Sequence, residues 1–250
     1  MNFFTLLNRE IRAYFVSPVA WVVLFFFLLL TGFNFYAGVA ALNRGPSEVT
    51  VVEAFFNTVF FWFGFVLVFP LITMRLFSEE YKMGTIEPLM TAPVRDSQVV
   101  LAKYFGALFF FIVLWLPSLL YFAIFTRVKR LEAAGAAGPF LGAYGMLLLI
   151  GMFHLAIGCL ASALTRNQIV AAIISFTVIT LFFFTGLLTF FLLTVTPALR
   201  EMTAYFSALE HMSEASRGFF DSRPVVFYLS LTIFTLFLTF HVFQSRRWRN

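Results

Sequence analysis

The sequence predicts an all-α fold: a polytopic membrane protein with six transmembrane helices, an N-terminal interfacial amphipathic helix, and a short helix in a cytoplasmic loop. Three observations carry that prediction. Of the 250 residues, 61% are hydrophobic and 12% charged, whereas a soluble domain carries about 25% charged residues. Six apolar stretches reach the roughly 20 residues that a helix needs to cross the bilayer core. Ahead of the first stretch, apolar and polar residues alternate at helical spacing.

The elements follow in chain order. Phe4, Leu7, Ile11, Tyr14 and Phe15 fall on one helical face, and Asn8, Arg9 and Arg12 occupy the rest. Such a pattern describes a helix lying on membrane lipid, although a simple extension of the first span fits the same residues. The spans run Pro18–Ala41, Phe55–Met74, Val99–Phe125, Phe140–Leu164, Ile169–Val195 and Pro224–Phe243. The first has too long an apolar run for a signal peptide, and no small-x-small cleavage pattern follows it closely. Pro117 inside the third is predicted to kink it, because proline removes a helical hydrogen bond. Between the fifth and sixth spans, Leu199, Met202, Tyr205, Phe206, Leu209 and Met212 recur at helical spacing. The segment 196–223 therefore reads as an extracytoplasmic amphipathic helix, either resting on the rim of the bundle or simply packed as a connector. The whole chain, residues 1–250, reads as a single membrane domain.

The formal net charge is +5. Its basic residues lie between the apolar runs and near the C-terminus, at Arg246, Arg247 and Arg249. That placement suits anionic lipid, and no basic stripe interleaved with aromatics exists to bind nucleic acid. With both termini cytoplasmic, ten Lys and Arg residues fall inside and seven outside, which favours that orientation. Cys159 is the one cysteine, so an intrachain disulfide is excluded.

Candidate chemistry within the spans is sparse. No Asp or Glu occupies the middle of a span, as a proton-driven carrier usually requires. Lys103 lies near the start of the third span, where its ammonium can snorkel to the headgroups. His154 is the ionisable group deep in a span; it fits a direct transport role, or a neutral imidazole hydrogen-bonded to a neighbouring helix. There is no His-Glu-x-x-His metal pattern and no Gly-x-Ser-x-Gly elbow, so catalysis in this chain is not expected. The three lysines follow Tyr81, Ala102 and Val128, never glycine. A phosphate-binding loop needs a Gly-Lys pair, so any ATP must be hydrolysed by a separate subunit.

The loop 75–98 is the informative segment. Gly84 is suited to end the helical continuation of the second span with a left-handed cap. Thr85 then caps a new helix, with Glu87 and Pro88 in its first turn and Pro93 as its stop. Ile86, Leu89 and Met90 form an apolar knob, flanked by charged Glu79, Glu80 and Lys82. A knob with a charged collar, tied rigidly to two spans, suits docking on another protein; an interfacial helix touching only lipid fits the same residues.

This loop resembles the ABC-2 class of transporter permeases. The stretch from Glu80 through Met83-Gly84-Thr85-Ile86-Glu87-Pro88-Leu89 to Met90-Thr91-Ala92-Pro93 is similar to that class's Glu-x-x-x-Gly-Thr-(Ile/Leu)-Glu-x-Leu-x-x-x-Pro pattern. Within the class it looks closest to permeases of gliding-motility-associated ABC transporters, with supporting stretches at 72–75, 100–104, 164–170, 216–223 and 244–248. Pro88 departs from the commoner apolar residue at its place. The resemblance implies a permease of the bacterial cytoplasmic (inner) membrane, paired with a second permease subunit as a homodimer or with a paralogue. It also implies a separate ABC ATPase subunit, which holds the ATP and magnesium, so that this chain needs no cofactor of its own. Glu79, Glu80, Gly84, Thr85, Ile86, Glu87, Pro88, Leu89, Met90, Thr91 and Pro93 are then the ATPase-coupling residues, with a contribution from the N-terminal helix. Relatives often act with a companion subunit bearing a large extracytoplasmic domain. Export, or movement of envelope components, is the expected function; a membrane anchor for an envelope complex is the alternative.

Overall fold

The computed structural model describes residues 3–43, 49–86, 94–129, 137–191 and 202–247, and these are mostly helical with no strand among them. The helices are α1 (Phe3–Val16), α2 (Pro18–Leu42), α3 (Val51–Phe56), α4 (Val59–Thr73), α5 (Ser78–Met83), α6 (Asp96–Lys129), α7 (Ala137–Leu164), α8 (Gln168–Phe191), α9 (Ala208–Ser216) and α10 (Ser222–Arg247). Six stretches of the described residues are long and apolar enough to cross a membrane: Pro18–Leu42, Val59–Met83, Asp96–Arg127, Ala137–Leu164, Gln168–Leu187 and Ser222–Arg246. The chain is a multi-pass, all-α membrane protein.

Local chemistry sets the boundaries. Pro18 opens α2, where its fixed φ suits the first turn and its missing N–H is no loss. The Thr50 and Thr58 hydroxyls accept from the amides of Glu53 and Phe61, so α3 and α4 each start at a threonine cap. The second span therefore begins at Val59 rather than at Phe55. Phe55 and Phe56 belong to the preceding short helix and are turned into the core. Helix α6 runs unbroken through Pro117, and the neighbouring Ser118 hydroxyl donates to Trp115 O at 2.6 Å.

Among its described residues, the amphipathic segment after α8 is interrupted at Phe206 and Ser207 instead of forming one helix. Residues 202–205 form a helical turn, and α9 starts afresh because Ser207 accepts from the amide of Glu210 at 3.2 Å. Met202, Tyr205 and Phe206 stay exposed while Met212 is buried, so the apolar stripe read from the sequence does not form one packed face. Leu199 lies outside the described residues.

Burial is concentrated on two spans. The apolar windows of α7 and of the α4–α5 stretch are 72% and 61% buried, against 22–33% for the other four. Helix α7 takes the centre because small residues let its neighbours approach closely. A Cβ at Gly158 would stand 2.0 Å from Thr73 Oγ1 on α4, and one at Gly151 would stand 2.5 Å from the Phe111 ring on α6. Around this axis Phe61, Phe65, Phe69, Phe111 and Trp115 interlock, several edge to face, the arrangement that the ring quadrupole favours. At the end of the bundle remote from α5, Arg217 Nε meets Glu53 Oε1 at 2.7 Å and Asn57 donates to Ser216 Oγ at 3.2 Å, tying α9 to α3.

Candidate functional site

The other end of the bundle converges on α5, the six residues that continue the second span toward the loop motif. After Thr73 the chain leaves α4 through a turn over 74–77. The residue preceding α5, Phe77, offers no side-chain cap. Ser162 on α7 supplies it instead: its hydroxyl accepts from the amides of Phe77 and Ser78 at 3.0 and 3.1 Å and lies 3.2 Å from Met74 O, to which it donates. Two of the orphan donors that every helix start leaves unpaired are thus satisfied from another span. Gly84 closes α5 in the left-handed conformation at φ 71°, which a glycine adopts without a Cβ clash.

Four charges lock α5 sideways. Lys103 on α6 is only 2% exposed. Its ammonium lies 3.3 Å from Glu10 Oε2 and 2.9 Å from Glu80 Oε2. The second contact is an ion pair outside directed hydrogen-bond geometry. Arg9 completes the group, 2.5 Å from Glu10 and 3.2 Å from Glu80. Two cations face two carboxylates, so the cluster is neutral, as a buried ionic group must nearly be. Burial pushes the Glu10 carboxyl up, but Lys103 and Arg9 outweigh it and hold the group below the usual range. Burial likewise works against the Arg9 charge, and Glu10 and Glu80 more than compensate. Lys103 therefore does not snorkel: with two carboxylates beside it, its charge stays inside the protein.

Arg75 makes the second clamp. Its Nε and Nη2 donate to Glu79 at 2.7 Å each, in the bidentate fork that matches a carboxylate, and Nη1 donates to Ser17 at the α1–α2 junction at 2.6 Å. On the opposite side Tyr81 is buried and its ring lies 4.6 Å from the Arg246 guanidinium of α10. Arg246 in turn donates to Leu164 O, the last residue of α7. Phe77 packs on Phe243 at 5.7 Å. Helices α1, α6, α7 and α10 and the α1–α2 junction thus all hold α5 through named side chains.

Helix α1 is held by the same cluster. Leu6 and Glu10 are its buried residues, and the Tyr14 hydroxyl donates to Ile72 O at 2.9 Å while its ring stacks on Phe110 at 4.8 Å. A Cβ at Gly106 on α6 would come 2.9 Å from that of Glu10, so the glycine is what admits the helix. The packed face is rotated roughly a quarter turn from the one read in the sequence. Leu7, Ile11 and Tyr14 are half-buried, Arg9 and Arg12 exposed, and Phe4 is 77% exposed. Ion pairing at Glu10 decides the rotation, because the carboxylate must face Lys103.

Several expectations about the loop change. Ile86 is 4% exposed and belongs to the core of this chain, so it is no part of an outward knob; burying its side chain here removes it from water. Glu79 and Glu80 do not stand free as a collar, since cations of the same chain engage both. Thr85 is exposed. Glu87, Pro88, Leu89, Met90, Thr91 and Pro93 lie outside the described residues. His154 Nδ1–H donates to Ile150 O, 2.7 Å away on its own helix rather than a neighbouring one, and the ring stacks on Phe69 at 5.0 Å. Among the described residues, no three His, Cys, Asp or Glu side chains group to hold a metal. Sequence reasoning missed Glu10, Ser162 and Tyr81; only the Tyr81 position adjoining Glu80 in the motif could have flagged one of them.

No curated protein matches the chain. The family model described as ABC-2 family transporter protein matches residues 15–186, a span running from the end of α1 into α8 and enclosing α5 with all its clamps except Arg9, Glu10 and the α10 contacts. With most of its length covered by that model, the chain belongs to the ABC-2 transporter family.

Proposed function

We propose that this chain is the membrane-spanning permease subunit of an ATP-driven ABC-2 transporter, and that α5 and the loop motif after it form the lever that a separate ATPase subunit moves. Members of the family normally work with an ABC ATPase partner. The observation that supports the lever is the convergence on α5. A push on the loop is felt at once by α7 through Ser162, by α6 and α1 through Glu80, and by α10 through Tyr81. Packed helices respond to such a push as rigid bodies. ATP and magnesium belong to the partner in this reading. Two permease chains, both termini on the side of α5, and residence in a bacterial inner membrane complete the proposal. A gliding-type envelope role and a companion subunit with an extracytoplasmic domain rest on the motif resemblance alone.

The test is co-purification with a co-expressed ABC ATPase subunit that binds the wild-type chain. The double substitution Glu87→Arg with Leu89→Asp is expected to release that subunit and to leave membrane insertion intact. Undiminished co-purification would falsify the docking role.

A further inference from the structure

Beside the charged cluster lies a cavity of about 320 Å³ between α1, the start of α2 and the end of α4. Its ends differ in chemistry. Val19, Ala20, Val23 and Leu71 wall one end, and Val19 and Leu71 are themselves exposed on the outside of the bundle. Arg75, Glu79 and Glu80 rim the other, at the end of the bundle where the charged cluster lies. Polarity thus runs along the cavity as it runs along a bilayer lipid, from headgroup depth to the first acyl carbons. The volume falls in the range of small-molecule sites, about 300–1,000 Å³.

We propose that this cavity binds one phospholipid whose zwitterionic headgroup carries a primary ammonium. The rim charges select that chemistry. Glu10, Glu79 and Glu80 line the cavity together with Arg75 and Lys103, paired directly with those two cations, and Arg9 neutralises the excess from behind the wall. An anionic headgroup gains no net attraction from such a rim. Arg75 gives three N–H groups to Glu79 and Ser17, and a guanidinium has five, so donors remain for a phosphate oxygen. The Glu79 oxygens each accept one bond from Arg75 and keep lone pairs for an ammonium. A quaternary ammonium has no N–H to offer them. Acyl chains leave past Val19 and Leu71 into the surrounding lipid.

The experiment uses the purified full chain, equilibrated with vesicles containing equal amounts of phosphatidylethanolamine, phosphatidylglycerol and phosphatidylcholine, then read by native mass spectrometry. One retained lipid per chain is expected, with the ethanolamine lipid favoured about tenfold, as charge-assisted hydrogen bonds allow. Val23→Trp fills the apolar end without touching the ions and should abolish retention; Ala20→Leu serves the same purpose should the larger side chain prevent folding. Glu79→Gln should keep a lipid bound and lose the ethanolamine preference. Equal retention of the three lipids, retention of detergent alone, or wild-type retention in the filled variant overturns the proposal. No ATPase takes part in the measurement, so its failure leaves the coupling reading untouched.

Discussion

Lys103 can be buried inside α6 because Glu10 and Glu80 take up its charge, and each carboxylate needs the lysine as much as the lysine needs them. Lys103→Met leaves two carboxylates facing each other and should cost about 3–5 kcal/mol. Combining it with Glu10→Gln and Glu80→Gln should recover much of the loss, since the one charge left, Arg9, has a side chain 45% exposed and is solvated by water. Thermal unfolding of the detergent-solubilised chain measures both, and equal destabilisation in the single and triple variants would show the cluster to be energetically idle. The sequence hid this cluster for a plain reason: Lys103 and Glu10 are 93 positions apart, and neither residue type announces a partner. His211 offers a second test. Its Nδ1 lies 3.0 Å from the Tyr228 hydroxyl; burial lowers its pKa to about 4, with Asp221 pulling weakly upward. The unfolded chain takes up that proton near 6.5, so between those values the unfolded state binds more protons. Stability from this group is full above 6.5 and is lost as pH falls toward 4. A fall of about 1.5 pH units below 6.5 should cost about 2 kcal/mol in the wild type and much less in His211→Gln.

At the level of single elements, periodicity revealed that α1 is an amphipathic helix but could not say which stripe packs. An apolar stripe and a stripe containing one acid compete for the bundle, and the acid wins through Lys103. The left-handed Gly84 was legible because few other residues accept its backbone angles. The start of α5 was not, since its cap comes from a serine 84 residues later. Removing that hydroxyl strands the amides of Phe77 and Ser78. Ser162→Ala should therefore cost about 1–3 kcal/mol and speed hydrogen exchange at those two amides above the rest of α5. Unchanged exchange there would show that the helix start is held by something other than the serine.

For the whole molecule, composition and span length were enough to read six crossings, because no water-soluble core absorbs so much apolar surface. Which crossing lies at the centre was written less visibly, in the small residues of α7. Gly158→Val would drive a side chain into Thr73, whose Cβ and both branch atoms already stand within 2.8 Å of a bare Cβ. Separation of α4 from α7 is the expected result, seen as loss of a monodisperse peak on size exclusion with membrane targeting retained. A sharp wild-type peak would mean that the two helices are not pressed together there.

The serine cap on α5 also bears on biosynthesis. When Phe77 and Ser78 emerge from the ribosome, the hydroxyl that secures their amides is still 85 and 84 codons away. The element nearest the loop motif is therefore finished only after the fourth crossing has been made, and a nascent chain stalled before that point carries an α5 whose first turn is still uncapped.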